Sequence, residues 1–280
     1  MQGAGDDGPG DDEDGREDGI LSGVTGSATG AALGRDRSGL ITEGLLLVVA
    51  AAAWLALLTQ AAMPMPGVGL AEVAAFLGAW TVMMAAMMLP SAIPMLALYA
   101  VLRRNAARGG QRGVPAALFA LVYLAVWAAF GVPVYIASLI ISAQTGLSDL
   151  LPYALAGVLI LAGLYQLTPL KRACLRVCRN PLSFLLARSR AGYRGSLSLA
   201  FEHALYCVGC CWGLMVVLVA AGAMALNWVL LIAVVVSVEK LLPRGERSAA
   251  IVGSILVLLG VTLAARPDLA ILLRPSQVGM

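Results

Sequence analysis

Apolar residues along this chain gather into seven long runs, at 44–62, 70–102, 115–141, 150–168, 198–222, 226–243 and 248–265, parted by short polar, glycine- or proline-bearing connections. Runs of about 20 apolar residues match a hydrocarbon core roughly 30 Å thick at the helical rise. Lipid offers no partner to open backbone, so each run is expected to be a helix. The pattern predicts an all-α fold, a polytopic transmembrane helix bundle of about seven spans. The second and third runs are long for simple spans, and a bend is expected at Pro90 or Pro94 and at Pro133, where a donor is missing and the ring crowds the preceding turn. No internal repeat of useful period is present, which gives no support to solenoids or to an evident inverted-repeat transporter.

Composition agrees with the pattern: 60% of the residues are hydrophobic and 12% charged, outside the usual range of soluble domains. The first forty residues open MQGAGDDGPGDDEDGRED, acidic and glycine-rich where a secretory signal needs a basic start and an early apolar core. Residues 1–43 therefore read as a retained, disordered acidic tail, 44–265 as the helix bundle and 266–280 as a short second tail. Fourteen of the nineteen Lys and Arg lie in the connections 103–113 and 169–197 and at or just after the end of the sixth run, whereas 63–69, 142–149 and 223–225 hold none. By the positive-inside rule this alternation places the amino terminus and the tail in the cytoplasm. The connection 169–197, with Pro169 and Pro181 bracketing LKRACLRVCRN, reads as a basic amphipathic segment on the membrane surface.

Sulfur is the element that the pattern concentrates. In FEHALYCVGCCWGLM (201–215), a helical path puts His203, Cys207, Cys210 and Cys211 within an arc of about 100°, and Met215 continues the stripe one turn on. Thiolate, imidazole and thioether favour Cu(I), Zn(II) or an iron–sulfur centre over hard cations. One helix cannot surround an ion, so a second must contribute. AWTVMMAAMMLPSAIPM offers Met83 and Met87 as one vertical pair and Met84 and Met88 as another, with Ala85 and Ala86 permitting close approach. Neutral thioethers suit Cu(I) better than Zn(II). Each feature also has a plainer meaning: methionine fills apolar cores, buried cysteine is common, and a lone histidine is usually a packed one. Cys174 and Cys178, one turn apart, have the spacing to share an ion on the surface segment. Glu239 and Lys240, near the inner end of the sixth run, are expected to pair with each other or with lipid, Lys240 by snorkelling.

The segments WTVMMAAMMLPSAIPM (80–95), YQLTPLKRACLRVCRNP (165–181) and YCVGCCWGLMVVLVAAGAMALNWVLLIAVVVSVEKLLP (206–243) together resemble a bacterial family described as predicted metal-binding integral membrane proteins. The resemblance spans about 75–245, in order, and leaves out the acidic tail. It implies a multi-pass protein of the bacterial inner membrane, with the methionine, paired-cysteine, CVGCC and EKLLP segments as the family's signature. It implies no particular activity.

The reading that employs most of these residues is a soft-metal protein that takes up, exports or passes on Cu(I), with the second and fifth spans face to face. Cys207, Cys210 and Cys211 would be the primary ligands with His203 beside them, the four methionines a relay, and Cys174 with Cys178 a cytoplasmic exchange site. Its partners would be the lipid bilayer and a metal donor or acceptor protein, with no nucleic acid. A GxxxxGK[ST] loop is absent, which argues against ATP-driven pumping by this chain. A membrane thiol–disulfide redox protein using the CVGC pair is the alternative from enzyme chemistry. A structural or assembly subunit is the other.

Overall fold

A computed structural model describes residues 37–59, 67–110, 112–143, 150–190, 192–222 and 226–269. The greater part of the two expected tails, 1–36 and 270–280, lies outside the described residues. Among the described residues there is no strand. The elements are α1 (Arg37–Thr59), α2 (Leu70–Arg108), α3 (Ala116–Ala143), α4 (Leu151–Leu167), α5 (Pro169–Arg179), α6 (Pro181–Arg188), α7 (Gly192–Gly222), α8 (Leu226–Leu241) and α9 (Gly245–Ala265), closed by a short 3₁₀ turn at Pro267–Leu269.

Each of the seven expected runs is helical over most of its described length, and the described residues form an all-α membrane bundle. Five helices, α1, α2, α3, α7 and α9, are each long and apolar enough to cross a bilayer, and α4 with α5 passes the same test as a pair bent by 64°. The bend falls at Thr168, whose side chain accepts from the Lys171 N–H at 3.2 Å and so caps α5. The remaining run, α8, has 16 residues, about 24 Å of helix and short of a full hydrocarbon core. α2 runs through both of its prolines without a break in the helix. It stays one helix of 39 residues through Pro90 and Pro94, as membrane helices do when neighbouring helices support the interrupted ladder.

Small residues set how the helices meet. A Cβ added to Gly163 of α4 would lie 2.6 Å from the Gly253 carbonyl oxygen of α9, and one on Gly260 would lie 2.8 Å from the Ala156 carbonyl. The two backbones therefore touch along glycine faces, the mode by which helices associate where burial of apolar area supplies no preference. On the other side of the bundle the Trp80 ring of α2 lies over Gly131 of α3, where a Cβ would come within 2.6 Å, and its Nε1 donates to the Trp127 carbonyl at 3.0 Å.

The three basic connections converge on one end of the bundle. The Gly192 N–H donates to the Arg112 carbonyl at 3.0 Å, joining the connection after α2 to the start of α7. Arg179 at the end of α5 donates to the carbonyls of Leu242 and Pro243 in the α8–α9 turn, and Arg176 stands 3.6 Å from Glu246 of α9. Pro169 and Pro181 each open a helix, as proline does where no intrahelical donor is needed.

Candidate metal centre

The stripe in α7 forms as the helical period requires. The Cys207, Cys210 and Cys211 sulfurs lie within 4.8 Å of one another, and the residues are only 1–2% exposed. Two local bonds draw this group together: the thiols of Cys210 and Cys211 both donate to the Cys207 carbonyl, at 3.1 and 3.0 Å. All five cysteines are free thiols.

The partners come from four other helices. From α3, the Tyr123 hydroxyl lies 3.0 Å from Cys207 Sγ. From α8, Lys240 Nζ stands 3.0 Å from Cys207 Sγ, 3.2 Å from Ser91 Oγ and 3.8 Å from Met88 Sδ. From α2, Met88 Sδ is 4.0 Å from Cys211 Sγ. From α5, Cys178 Sγ is 3.8 Å from Cys210 Sγ. The site is a sulfur cluster with a buried ammonium against one side.

Several expectations are revised by this packing. Lys240 does not snorkel and does not pair with Glu239; it is buried and turned to the sulfurs. Consecutive helical residues point about 100° apart, so Glu239 faces a different neighbour. It accepts from Lys171 Nζ at 2.6 Å and from Gln166 Nε2 at 3.0 Å, all three side chains being buried. Cys174 and Cys178 also have different neighbours. Cys178 reaches Cys210, whereas Cys174 packs against Gly209, where a Cβ would fall 2.9 Å from its sulfur. α7 packs chiefly against α3, α4 and α5, and α2 reaches the cluster through Met88.

The other sulfurs and the histidine are placed as follows. Met83 and Met84 are buried in the core, Met215 is buried one turn beyond Cys211, and Met87 lines a cavity of about 310 Å³ with Trp54, Pro90, Ala233 and Ser237. His203 lies outside the close group of donors. It is ringed by Phe119, Tyr123 and Phe184 at centroid distances of 6.2, 5.9 and 5.8 Å, and its buried Nδ1 has no hydrogen-bond partner among the described residues.

The sequence reading missed Tyr123, Lys171, Gln166 and Ser91 and misassigned Lys240. A lysine, a second lysine and a glutamate within apolar or cysteine-bearing segments were the available signal, since ionisable residues at membrane depth are costly without a partner. Among the described residues the buried ammonium and carboxylate groups are Lys171, Lys240 and Glu239. Lys171 is paired with the one carboxylate, and the remaining ammonium, Lys240, is the one that touches Cys207. A metal–thiolate complex of net charge −1 at the sulfurs would balance it.

The donor set therefore suits a soft ion held by thiolates, with one thioether and the Tyr123 hydroxyl beside them and no carboxylate in the close group among the described residues. Neither a curated protein nor a solved structure matches the chain. The model of one protein family does match, over residues 77–263, nearly the stretch that carries the resemblance seen in the sequence and including every cysteine. That family is described as PpoB2, copper chaperone, and the chain belongs to it.

Proposed function

We propose that this protein binds Cu(I) inside the membrane on Cys207, Cys210 and Cys211 and passes it on to another carrier. The observation that carries the reading is the group of three buried cysteine sulfurs within 4.8 Å, set against the Lys240 ammonium. Cu(I) on two thiolates, with the third cysteine kept as a neutral thiol, carries one negative charge, which that ammonium neutralises. Met88 adds a soft ligand without adding charge. Zn(II) favours four close donors, and the iron–sulfur clusters likewise take four cysteine ligands. A dry, two- or three-coordinate sulfur site suits Cu(I) better than either. Family membership supports copper as the metal.

The basic end of the bundle is assigned to the cytoplasm, with the bacterial inner membrane as the location. The joining of the three arginine-rich connections at that end supports this orientation. One observation favours the thiol-redox alternative, the 3.8 Å approach of Cys178 to Cys210; that alternative leaves Met88 without a task.

Metal analysis and X-ray absorption on the detergent-purified chain, wild type beside a triple Cys→Ser variant at 207, 210 and 211, test the reading. One Cu(I) per chain in a shell of two or three sulfurs, lost in the triple variant, is expected. A nitrogen and oxygen shell, or no stoichiometric copper under reducing conditions, refutes it.

A further inference from the structure

The three sulfurs of α7 are closed off: Cys207, Cys210 and Cys211 are 2%, 1% and 1% exposed. An ion held there needs a route to any ligand outside. Cys174 does not provide one, because it is buried and its sulfur occupies the notch left by Gly209. Cys178 differs from the other four cysteines in being only partly buried. It touches the cluster on one side, at 3.8 Å from Cys210 Sγ, and its chain neighbours Arg179 and Asn180 border the polar end of the bundle.

Its placement is held by fixed contacts. α5 is anchored at its start by the buried Lys171–Glu239 ion pair, at its middle by Cys174 against Gly209, and at its end by Arg179 on the Leu242 and Pro243 carbonyls. A helix fixed at three points presents Cys178 at a set distance from Cys210 and at the margin of the polar end. The arginines of that end, Arg172, Arg176 and Arg179, set a positive field around this margin, which favours an anionic carrier.

We propose that Cys178 is the hand-over thiol of this site, through which Cu(I) passes between the buried cysteines and an anionic, thiol-bearing carrier at the basic end of the bundle. The inference rests on the Cu(I) reading of the cluster. The exchange is a ligand substitution. The carrier's sulfur binds Cu(I) while Cys178 still holds it, the Cu–S bond to Cys178 then breaks, and the carrier's thiol proton goes to the departing cysteine. Copper remains Cu(I), and no electron is transferred.

The test is removal of Cu(I) from the loaded, detergent-purified full chain by reduced glutathione under anaerobic conditions, comparing wild type, Cys178→Ser and Cys174→Ser. Cys178→Ser is expected to keep one Cu(I) per chain and to release it at least tenfold more slowly, with Cys174→Ser at the wild-type rate. Wild-type release by Cys178→Ser, or equal slowing by Cys174→Ser, overturns the hand-over role and leaves the Cu(I) reading standing. Loss of copper from Cys178→Ser overturns it in favour of a permanent ligand. A wild-type chain that takes up no Cu(I) removes both.

Discussion

Lys240 Nζ lies 3.0 Å from Cys207 Sγ, with both residues buried and the ammonium held in place by Ser91 Oγ at 3.2 Å. A fixed positive charge against a sulfur ligand stabilises the metal–thiolate complex that forms there. Removing one partner of such a buried, charge-assisted contact costs about 2 kcal/mol or more, roughly thirtyfold in affinity. Lys240→Met is therefore expected to weaken Cu(I) binding by about that factor in competition with a Cu(I) chelator. Unchanged affinity would remove the ammonium from the account of the site.

Thiols must shed protons to bind Cu(I), so binding and pH are linked. Each proton displaced makes the apparent affinity rise as pH rises, until the ligand thiols are ionised without metal. A chelator competition across pH 6 to 9 is expected to show tightening toward the alkaline side. A flat profile would mean that the ligands are not thiols.

The Lys171–Glu239 pair, 2.6 Å apart with side chains 1% and 2% exposed, ties α5 to α8. Neutralising one member of a buried pair leaves the other charge uncompensated and costs about 3 to 5 kcal/mol, whereas replacing both by apolar residues of similar volume is close to neutral. Glu239→Gln is thus expected to lower the thermal midpoint sharply, and Lys171→Met with Glu239→Met to restore most of it. Equal destabilisation by the single and double variants would show that the pair is not the clamp.

Met88 touches Cys211 whereas Met87, about 100° around the same helix, lines the cavity beside Trp54. Leucine keeps the volume of methionine and removes the thioether. Met88→Leu is expected to weaken Cu(I) binding several-fold and Met87→Leu to leave it unchanged, both by chelator competition. The reverse order would relocate the thioether ligand.

Reporter fusions within 103–113 and 169–190 are expected to read as cytoplasmic, and fusions at 223–225 as outside. The expectation comes from the gathering of arginines at one end of the bundle. Both arginine-rich connections reading as outside would invert the protein and the side on which Cys178 hands over its ion.

The helices and the membrane were legible in the sequence because hydrophobic run length and the need to satisfy backbone groups in lipid are local constraints. The stripe of Cys207, Cys210 and Cys211 was legible for the same reason: residues three and four apart share a helix face whatever surrounds it. The burial of Lys240 was not, since it depends on what the neighbouring helices place around it.

What the sequence determined by itself was the set of candidate donors and the face of α7 that carries three of them. Only the tertiary structure decided which other helices close on that face. Contacts between residues far apart in the chain, such as Lys240 with Cys207 or Cys178 with Cys210, depend on how each helix is rotated against its neighbours. That rotation is fixed by small-residue contacts such as Gly163 on Gly253 and Cys174 on Gly209, which no period along one helix encodes. For this reason Glu239 and Lys240, adjacent in sequence, serve different sites: the chain gives them neighbouring numbers, and the packing of α8 between α5 and α2 gives them opposite partners.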